Sequence, residues 1–249
     1  MASFTLLPGL VADRTALFLE REGVLVLADL HIGYEEERVA SGFLLPRRQE
    51  ELLRGEVERL LSEYHPRRLV LNGDVKHEFG RISGQEWRVI RRLLSLVWER
   101  GCEPVVIAGN HDALLAPLLE RLGLPVERSF RAGSALILHG DAPAHEVARS
   151  FAGVRLVIIG HEHPALGLSD GTRRELVKAF LVGKKRVGGR SCSLVVMPSW
   201  NPFSAGIDVL RERPLGPLLA DFTGFRAFAV LDDEVLAFGR VEKLQRLMR

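Results

Sequence analysis

The chain has 249 residues, 47% of them hydrophobic and 27% charged, with a formal net charge of only +2. That is the composition of a soluble protein with a sizeable core. No repeat or low-complexity stretch suggests a solenoid or a long disordered tail, and so small a charge is by itself no argument for nucleic-acid binding. Two cysteines, Cys102 and Cys192, are too few for a disulfide framework and fall in or beside apolar runs, as buried free thiols do. No apolar run reaches the roughly 18 residues of a membrane span, and the opening MASFTLLPGLVADR lacks the regions of a signal peptide. A cytoplasmic location is therefore expected.

Apolar runs at 17–20 and 24–28 flank Arg21-Glu22-Gly23, a hairpin signal, and the second stops abruptly at Asp29. Over 46–64 the period becomes helical: Leu53, Val57, Leu60, Leu61 and Tyr64 share a face, Pro46 suits the first turn, and His65-Pro66 ends it. A strand at 68–71 breaks at Asn72-Gly73-Asp74. Trp87, Ile90, Leu94, Val97 and Trp98 mark a second helix, stopped by Gly101 and followed by a strand at 104–108 that breaks at Gly109-Asn110. A short helix over 114–122 precedes strands at 134–138, ending at His139, and 154–159, ending at Gly160-His161. Beyond Glu175 the pattern turns to strands at 176–182, 193–197, 227–231 and 235–238. No Gly/Ser-rich linker divides the chain, so residues 1–249 read as a single α/β domain.

Five of these apolar runs end in Gly, Asp or His, and in open α/β sheets ligands gather just beyond the carboxyl ends of strands. The segments at those ends are LADLH (27–31), LNGDVKHEFG (71–80), AGNHD (108–112), LHGD (138–141) and GHEHP (160–164). They hold six of the eight histidines; His65 and His145 fall elsewhere, as expected surface residues. Imidazole and carboxylate together suit Mn²⁺, Fe²⁺ and Zn²⁺. An anionic carboxylate bridges two such cations better than a neutral ligand, and two ions roughly 3.5–4 Å apart clamp a phosphate and lower the pKa of a bound water. The strings differ in weight. With ten Asp and eight His, Asp-x-His arises by chance in roughly one such chain in three, Gly-His-x-His in about one in forty and Gly-Asn-His-Asp in fewer than about one in a thousand. Singly, Asp29 and Asn110 also read as turn residues and His139 as a hydrogen-bonded buried histidine; together, so many buried polar groups without a cation would be very costly.

Asp-x-His, Gly-Asp, Gly-Asn-His-Asp, a lone His and Gly-His-x-His, in that order over residues 29–163, resemble the calcineurin-like metallophosphoesterases. The resemblance implies a four-layer αββα sandwich, two mixed β-sheets face to face with helices outside. It places one divalent ion on Asp29, His31, Asp74 and His163 and a second on Asp74, Asn110, His139 and His161, with Asp74 as the bridge. Mn²⁺ is the expected metal and Fe²⁺ or Zn²⁺ the alternatives. It makes His111 the catalytic histidine, protonating the leaving oxygen or stabilising charge in the transition state, with Asp112 orienting its imidazole. His77 is either a substrate contact or a solvated loop residue, and Asp141 a turn residue or a support behind the ligands. The implied activity is hydrolysis of phosphodiester bonds by a metal-bound hydroxide.

GDVKHEFG and the early DLHIGYE are further similar to a small group related to the SbcD-type nucleases, with archaeal phosphoesterases and a bacterial DNA-ligase-associated metallophosphoesterase among its members. The larger nucleases carry a capping domain and an ATPase-docking region after the catalytic core; 249 residues are too few for both, so break processing with a partner ATPase is not expected. A nuclease acting on DNA is the leading reading, and a phosphatase or pyrophosphatase on a small nucleotide-like phosphoester the second. A non-catalytic scaffold is the third, although scaffolds usually lose the ligands and the histidine that this chain keeps. Between 170 and 190, Arg173, Arg174, Lys178, Lys184, Lys185, Arg186 and Arg190 stand against only Asp170 and Glu175. This segment follows GHEH directly. It either flanks the site and binds a phosphate backbone, through Arg173, Arg174, Lys184 and Lys185, or forms a solvated hairpin. Trp200 and Phe203 either stack on a base or pack in the core.

Overall fold

The computed structural model describes residues 3–44, 47–143, 146, 151–169, 171–187 and 190–247; Pro46, His145 and Asp170 lie outside them, and the Arg190 side chain is not described. The chain opens with four strands, β1 (Phe4–Leu7), β2 (Leu10–Asp13), β3 (Ala16–Leu19) and β4 (Val24–Ala28), each antiparallel to the next. Helices α1 (Tyr34–Ala40) and α2 (Gln49–Tyr64) lead to β5 (Arg68–Asn72), α3 (Gly84–Glu99) to β6 (Glu103–Ile107), and α4 (Ala116–Glu120) to β7 (Val126–Glu127). Strands β4 to β7 are parallel, as such crossovers through helices require, and the seven strands make one sheet in chain order.

The second sheet takes β8 (Ser129–Ala132), β9 (Ala135–Leu138), β10 (Leu156–Ile159), β11 (Pro164–Ser169), β12 (Arg174–Val187), β13 (Arg190–Val196), β14 (Ile207–Asp208), β15 (Arg226–Leu231) and β16 (Glu234–Arg240); α5 (Val241–Leu247) follows. Its order is β14-β11-β12-β13-β10-β9-β8, with β15 on β12 and β16 on β15. Within it β9, β10 and β13 run parallel.

Local sequence accounts for most of these elements. Helix α3 begins with a reciprocal cap: Ser83 Oγ accepts from Glu86 N at 3.0 Å while the Glu86 carboxylate accepts from Ser83 N at 2.7 Å. Its buried stripe is Val89, Ile90, Leu93, Leu94 and Val97. Trp98, expected on that face, is 43% exposed, because one further residue rotates it about 100° off the stripe.

Three apolar clusters define the layers. Val26, Ala28, Val70 and Ile107 of the first sheet meet Ile137, Ile158, Phe180 and Val195 of the second. Leu25, Leu27, Leu69 and Leu71 point the other way, onto Leu53, Val57, Ile90 and Leu94 of α2 and α3. On the far side of the second sheet, Leu138, Leu181 and Leu194 join Leu218, Phe222, Phe225 and Val241. The expected helix-sheet-sheet order holds. Among the described residues the fourth layer is the irregular stretch 209–225 with the short α5. Cys102 and Cys192 are free and buried, and among the described residues no helix is long and apolar enough to cross a membrane.

Phe180 is fully buried between the sheets. Phe180→Ala should cost about 3–5 kcal/mol, since the gap closes only in part. Urea unfolding measures this; an unchanged midpoint would show that the two sheets do not depend on that face.

Candidate metal centre

Asp29 follows β4, Asp74 β5, Asn110 β6, His139 β9, and His161 and His163 β10. Within each sheet these strands are parallel, so their carboxyl ends lie together, and face-to-face packing brings the two rows side by side. The sheets are joined at this point. His161 N donates to both Asp29 carboxylate oxygens at 3.1 Å, Ser199 Oγ to Asp29 O at 2.7 Å and Trp200 N to Ala28 O at 2.8 Å.

The backbone bends to aim these side chains. Among the described residues nine that are not glycine have positive φ, and five of them are Asp29 (55°), His31 (44°), Asp74 (48°), His161 (64°) and His163 (43°). Each left-handed residue costs about 1–2 kcal/mol, and such strain persists where surrounding structure over-determines it. The turns let residues i and i+2 of both Asp29-Leu30-His31 and His161-Glu162-His163 reach one cluster. Gly73 and Gly109 are required beside them: a Cβ on Gly73 would overlap the His139 ring, and one on Gly109 the Asp74 backbone nitrogen and carboxylate.

Ligand-type atoms of Asp29, His31, Asp74 and His163 lie within 4.8 Å of one another, and so do those of Asp74, His139 and His161. Asp74 belongs to both groups. Asn110 joins the second, its Oδ1 3.3 Å from His139 Nε2. Ring nitrogens face each other across 3.4 Å between His31 and His163 and 3.2 Å between His139 and His161. Asp29, His31, Asp74 and His139 are buried, while His111, His161 and His163 are partly exposed.

The charges are strongly coupled. Burial opposes ionisation of Asp74, but His139 and His31 outweigh it and hold the carboxyl well below its usual range. Asp29 is likewise lowered, by His163 and His139 against burial. Burial, then the charge of His163, pushes His31 down to about 3. Burial also pulls on His139, yet Asp74 and Asp29 overcome it and raise this imidazole to about 9.

Asp112, expected to orient the His111 ring, is engaged elsewhere. Its carboxylate accepts from Val75 N at 3.1 Å, Lys76 N at 3.2 Å and Gly109 N at 3.0 Å, tying the loop after β5 to the loop after β6. The tight turn at 109–112 closes on its own amides, and burial raises Asp112 to about 6. The His111 ring is instead held through Nδ1 at the His77 carbonyl oxygen. His111 N donates to Asp74 Oδ1 at 3.0 Å, and its Nε2 lies 3.8 Å from Asp74 Oδ2. His77 sits at the cluster, Nδ1 3.3 Å from His31 Nδ1, and is not a fully solvated loop residue. Asp141 is partly buried beyond His139.

The basic segment is carried away from this centre. Strand β11 starts beside His163, and its ladder with β12 sets Ala165 opposite Lys178 and Ser169 opposite Arg174. Arg174 therefore lies about 17 Å along from Pro164, with Arg173 beyond it, and ion-pairs with buried Asp208. In the other direction Lys184 is opposite Ser193, itself opposite Leu156 at the far end of β10. Lys184 and Lys185 are thus at the opposite edge, and Lys185 Nζ donates to Leu218 O. An extended strand brings only its middle to the site. That middle is Lys178, whose Nζ donates to Ser199 O at 2.7 Å and to Asn201 O, under Asp29. Trp200 packs in the first-sheet core, and Phe203 is partly buried.

Some contributors were not singled out from sequence. Glu162, between two clustered histidines, is fully buried and accepts from Leu215 N at 2.6 Å and Gly216 N at 3.1 Å. Its position inside GHEH was the available signal. Ser199 gave none, because its partner is a backbone carbonyl distant in sequence, and Lys178 stood only as one cation of the basic segment.

Without divalent ions, stability should peak near neutral pH. His139, raised, contributes stability that is complete below about pH 6.5 and lost as pH climbs through about 9. His31, lowered, costs stability as pH falls below about 6.5, because the unfolded chain takes up a proton there and the native one does not. Thermal unfolding of chelator-treated protein should trace both limbs, and Asp74→Asn should flatten the alkaline one. An alkaline limb unchanged in that variant would refute the Asp74–His139 coupling.

No protein-family model matches the chain, and no curated protein matches its sequence. Among solved structures, the nuclease MPE of Pseudomonas putida aligns with a TM-score of 0.60 and 19% identity over 92% of this chain and 94% of its own. Yfce, a phosphoesterase from E. coli, aligns over 84% of this chain and 88% of its own at 14% identity, but its TM-score of 0.37 carries no weight. At 19% identity the first likeness is one of fold: two mixed sheets face to face with helices outside, shared with the Pseudomonas nuclease.

Proposed function

We propose that this protein is a two-metal phosphoesterase that hydrolyses phosphodiester bonds. The observation carrying this reading is the convergence of two carboxylates, one carboxamide and four imidazoles from five strand ends into two groups that share Asp74. The donor set fits divalent cations. Mixed nitrogen and oxygen ligands suit Mn²⁺, Fe²⁺ or Zn²⁺, and the paired ring nitrogens aim lone pairs at each other unless a proton or cation lies between them. In this reading Asp29, His31, Asp74 and His163 hold one ion and Asp74, Asn110, His139 and His161 the other. Such a pair, when bound, supplies Lewis-acid charge at the phosphoryl oxygens and lowers the pKa of water.

The protein's own groups supply the rest. Asp29 and Asp74 would provide the negative charge that balances two cations, and Asp74 is the carboxylate common to both groups. With Nδ1–H of His111 donating to the His77 carbonyl, Nε2 is the nitrogen that faces Asp74, and it carries a transferable proton only when the ring is the imidazolium. From there His111 protonates the leaving oxygen or stabilises charge in the transition state. Asp112 sets the spacing of the two loops that carry Asp74 and Asn110.

A nucleic-acid strand is the favoured substrate, supported by the fold shared with a nuclease. A small nucleotide-like phosphoester is the second reading, favoured by the outward course of β12, which leaves Arg174, Lys184 and Lys185 far from the cluster. Salt separates them: DNA binding should weaken steeply with ionic strength, and small-substrate hydrolysis should not.

His111→Ala should lower phosphodiester hydrolysis roughly 10²–10⁴-fold while metal analysis still finds both ions; full activity would remove His111 from catalysis. EDTA should abolish hydrolysis, with Mn²⁺ restoring it best. Asp74→Asn should weaken both ions together, and an unchanged metal stoichiometry would overturn the bridging role.

A further inference from the structure

We infer that Phe79 is a stacking platform for a planar base joined to the scissile phosphate, which makes nucleotide esters the substrate class of this site. The inference rests on the phosphoesterase reading above. Phe79 is 60% exposed, yet its ring centroid lies only 3.6 Å from that of His111, with the planes tilted by 32°. His111 is stacked in turn on His77, at 5.7 Å and 16°, and His77 lies 5.0 Å from the Tyr34 ring. His31 touches both middle rings edge-on, at 5.2 Å from His77 and 4.8 Å from His111. An aromatic ledge therefore starts at the histidine that faces the leaving oxygen and ends on a phenyl ring open to solvent.

Among the described residues Phe79 belongs to none of the three apolar clusters. A large apolar side chain held in water beside a polar cluster forgoes burial, and such exposure is informative where an isolated surface Leu would not be. The neighbouring charges identify what covers it. Glu37 lies 3.9 Å from His77, and Glu78 is bound to Arg81. Glu78 is thereby offset by Arg81, so the charges beside the ring give little attraction for a second phosphate, while the uncharged ring face suits a neutral base. The phosphate is then on the ligand cluster and the base on Phe79. Stacking is tolerant of base identity, so the platform selects for a base and not for a sequence.

The test is isothermal titration of Mn²⁺-loaded protein with thymidine 5′-monophosphate, ribose 5-phosphate, inorganic phosphate and a short oligothymidylate. Wild type should bind the nucleotide more tightly than the ribose phosphate. Phe79→Ala should weaken the nucleotide by roughly 5- to 100-fold and leave inorganic phosphate within about twofold. Phe79→Trp should restore the preference and Phe79→Leu should not. Because the ring is exposed, these variants should unfold at the wild-type temperature. An oligothymidylate weakened in parallel assigns the base to a strand, and a loss confined to the mononucleotide assigns it to a free nucleotide; both support the platform. Nucleotide and phosphate weakened together, or neither weakened, would reduce Phe79 to a wall behind His111 and overturn the inference. If Mn²⁺-loaded wild type binds none of the four probes, the phosphoesterase reading itself fails and takes the platform with it.

Discussion

The structure depends on one electrostatic constraint, the Asp29 and Asp74 carboxylates held out of water among four imidazoles. Buried charge of this density must be matched locally. In the polypeptide alone the match is incomplete, with one imidazole driven up and another driven down within a few ångströms. Bound cations would resolve both distortions at once, taking the lone pairs of the neutral histidines and offsetting the charge of the carboxylates. The same constraint accounts for the left-handed backbone at five clustered residues. Their strain is sustained because the two sheets, fastened through His161 N, Ser199 Oγ and Trp200 N, leave those turns no other course.

Parallel strands make the convergence possible. Three carboxyl ends from one sheet and two from the other meet at one edge only because β4, β5 and β6 run one way and β9 and β10 are aligned with them across the core. Side chains that touch no expected ligand site then fix the spacing of the loops. Asp112 does so within the first sheet's edge, Glu162 toward the 215–216 loop and Lys178 beneath Asp29. Each uses an ionisable group on backbone partners, which fixes loop geometry more firmly than a neutral side chain would.

Much of this was legible in sequence, for particular reasons. Asp29, Asp74, Asn110, His139 and His161 each end an apolar run, so their convergence follows from strand direction alone. The helices α2 and α3 were visible in their apolar spacing, and the hairpin of β3 and β4 in its Gly turn. The first hairpin, β1 with β2, was missed although Pro8-Gly9 marks its turn, and so was β11, where GHEHP reads as a motif and not as the start of a strand. Asp112 was misread because adjacency to His111 suggested contact, while a tight turn directs neighbouring side chains apart. Of the two readings of the basic segment, the hairpin is the one that the β12–β13 pairing fits. Closeness in sequence to GHEH does not survive a 14-residue strand that crosses the whole sheet.

That geometry also shapes recognition. Charge at the site comes from carboxylates, imidazoles and the ions they would hold; Lys178 is engaged by backbone carbonyls, and Arg174, Lys184 and Lys185 lie toward the two ends of the long β12 ladder. Long-range attraction of a polyanion by those side chains would fade within about a Debye length, some 10 Å at moderate salt. Arg174 is about 17 Å along the strand from the start of β11 and already neutralised by Asp208. Selectivity therefore has to come from contacts next to the reacting phosphate. There the exposed Phe79 ring lies against His111, and its uncharged face suits a neutral planar group better than a second phosphate. Substrate choice is thus set at short range by stacking, and the buried cluster is left to govern the chemistry.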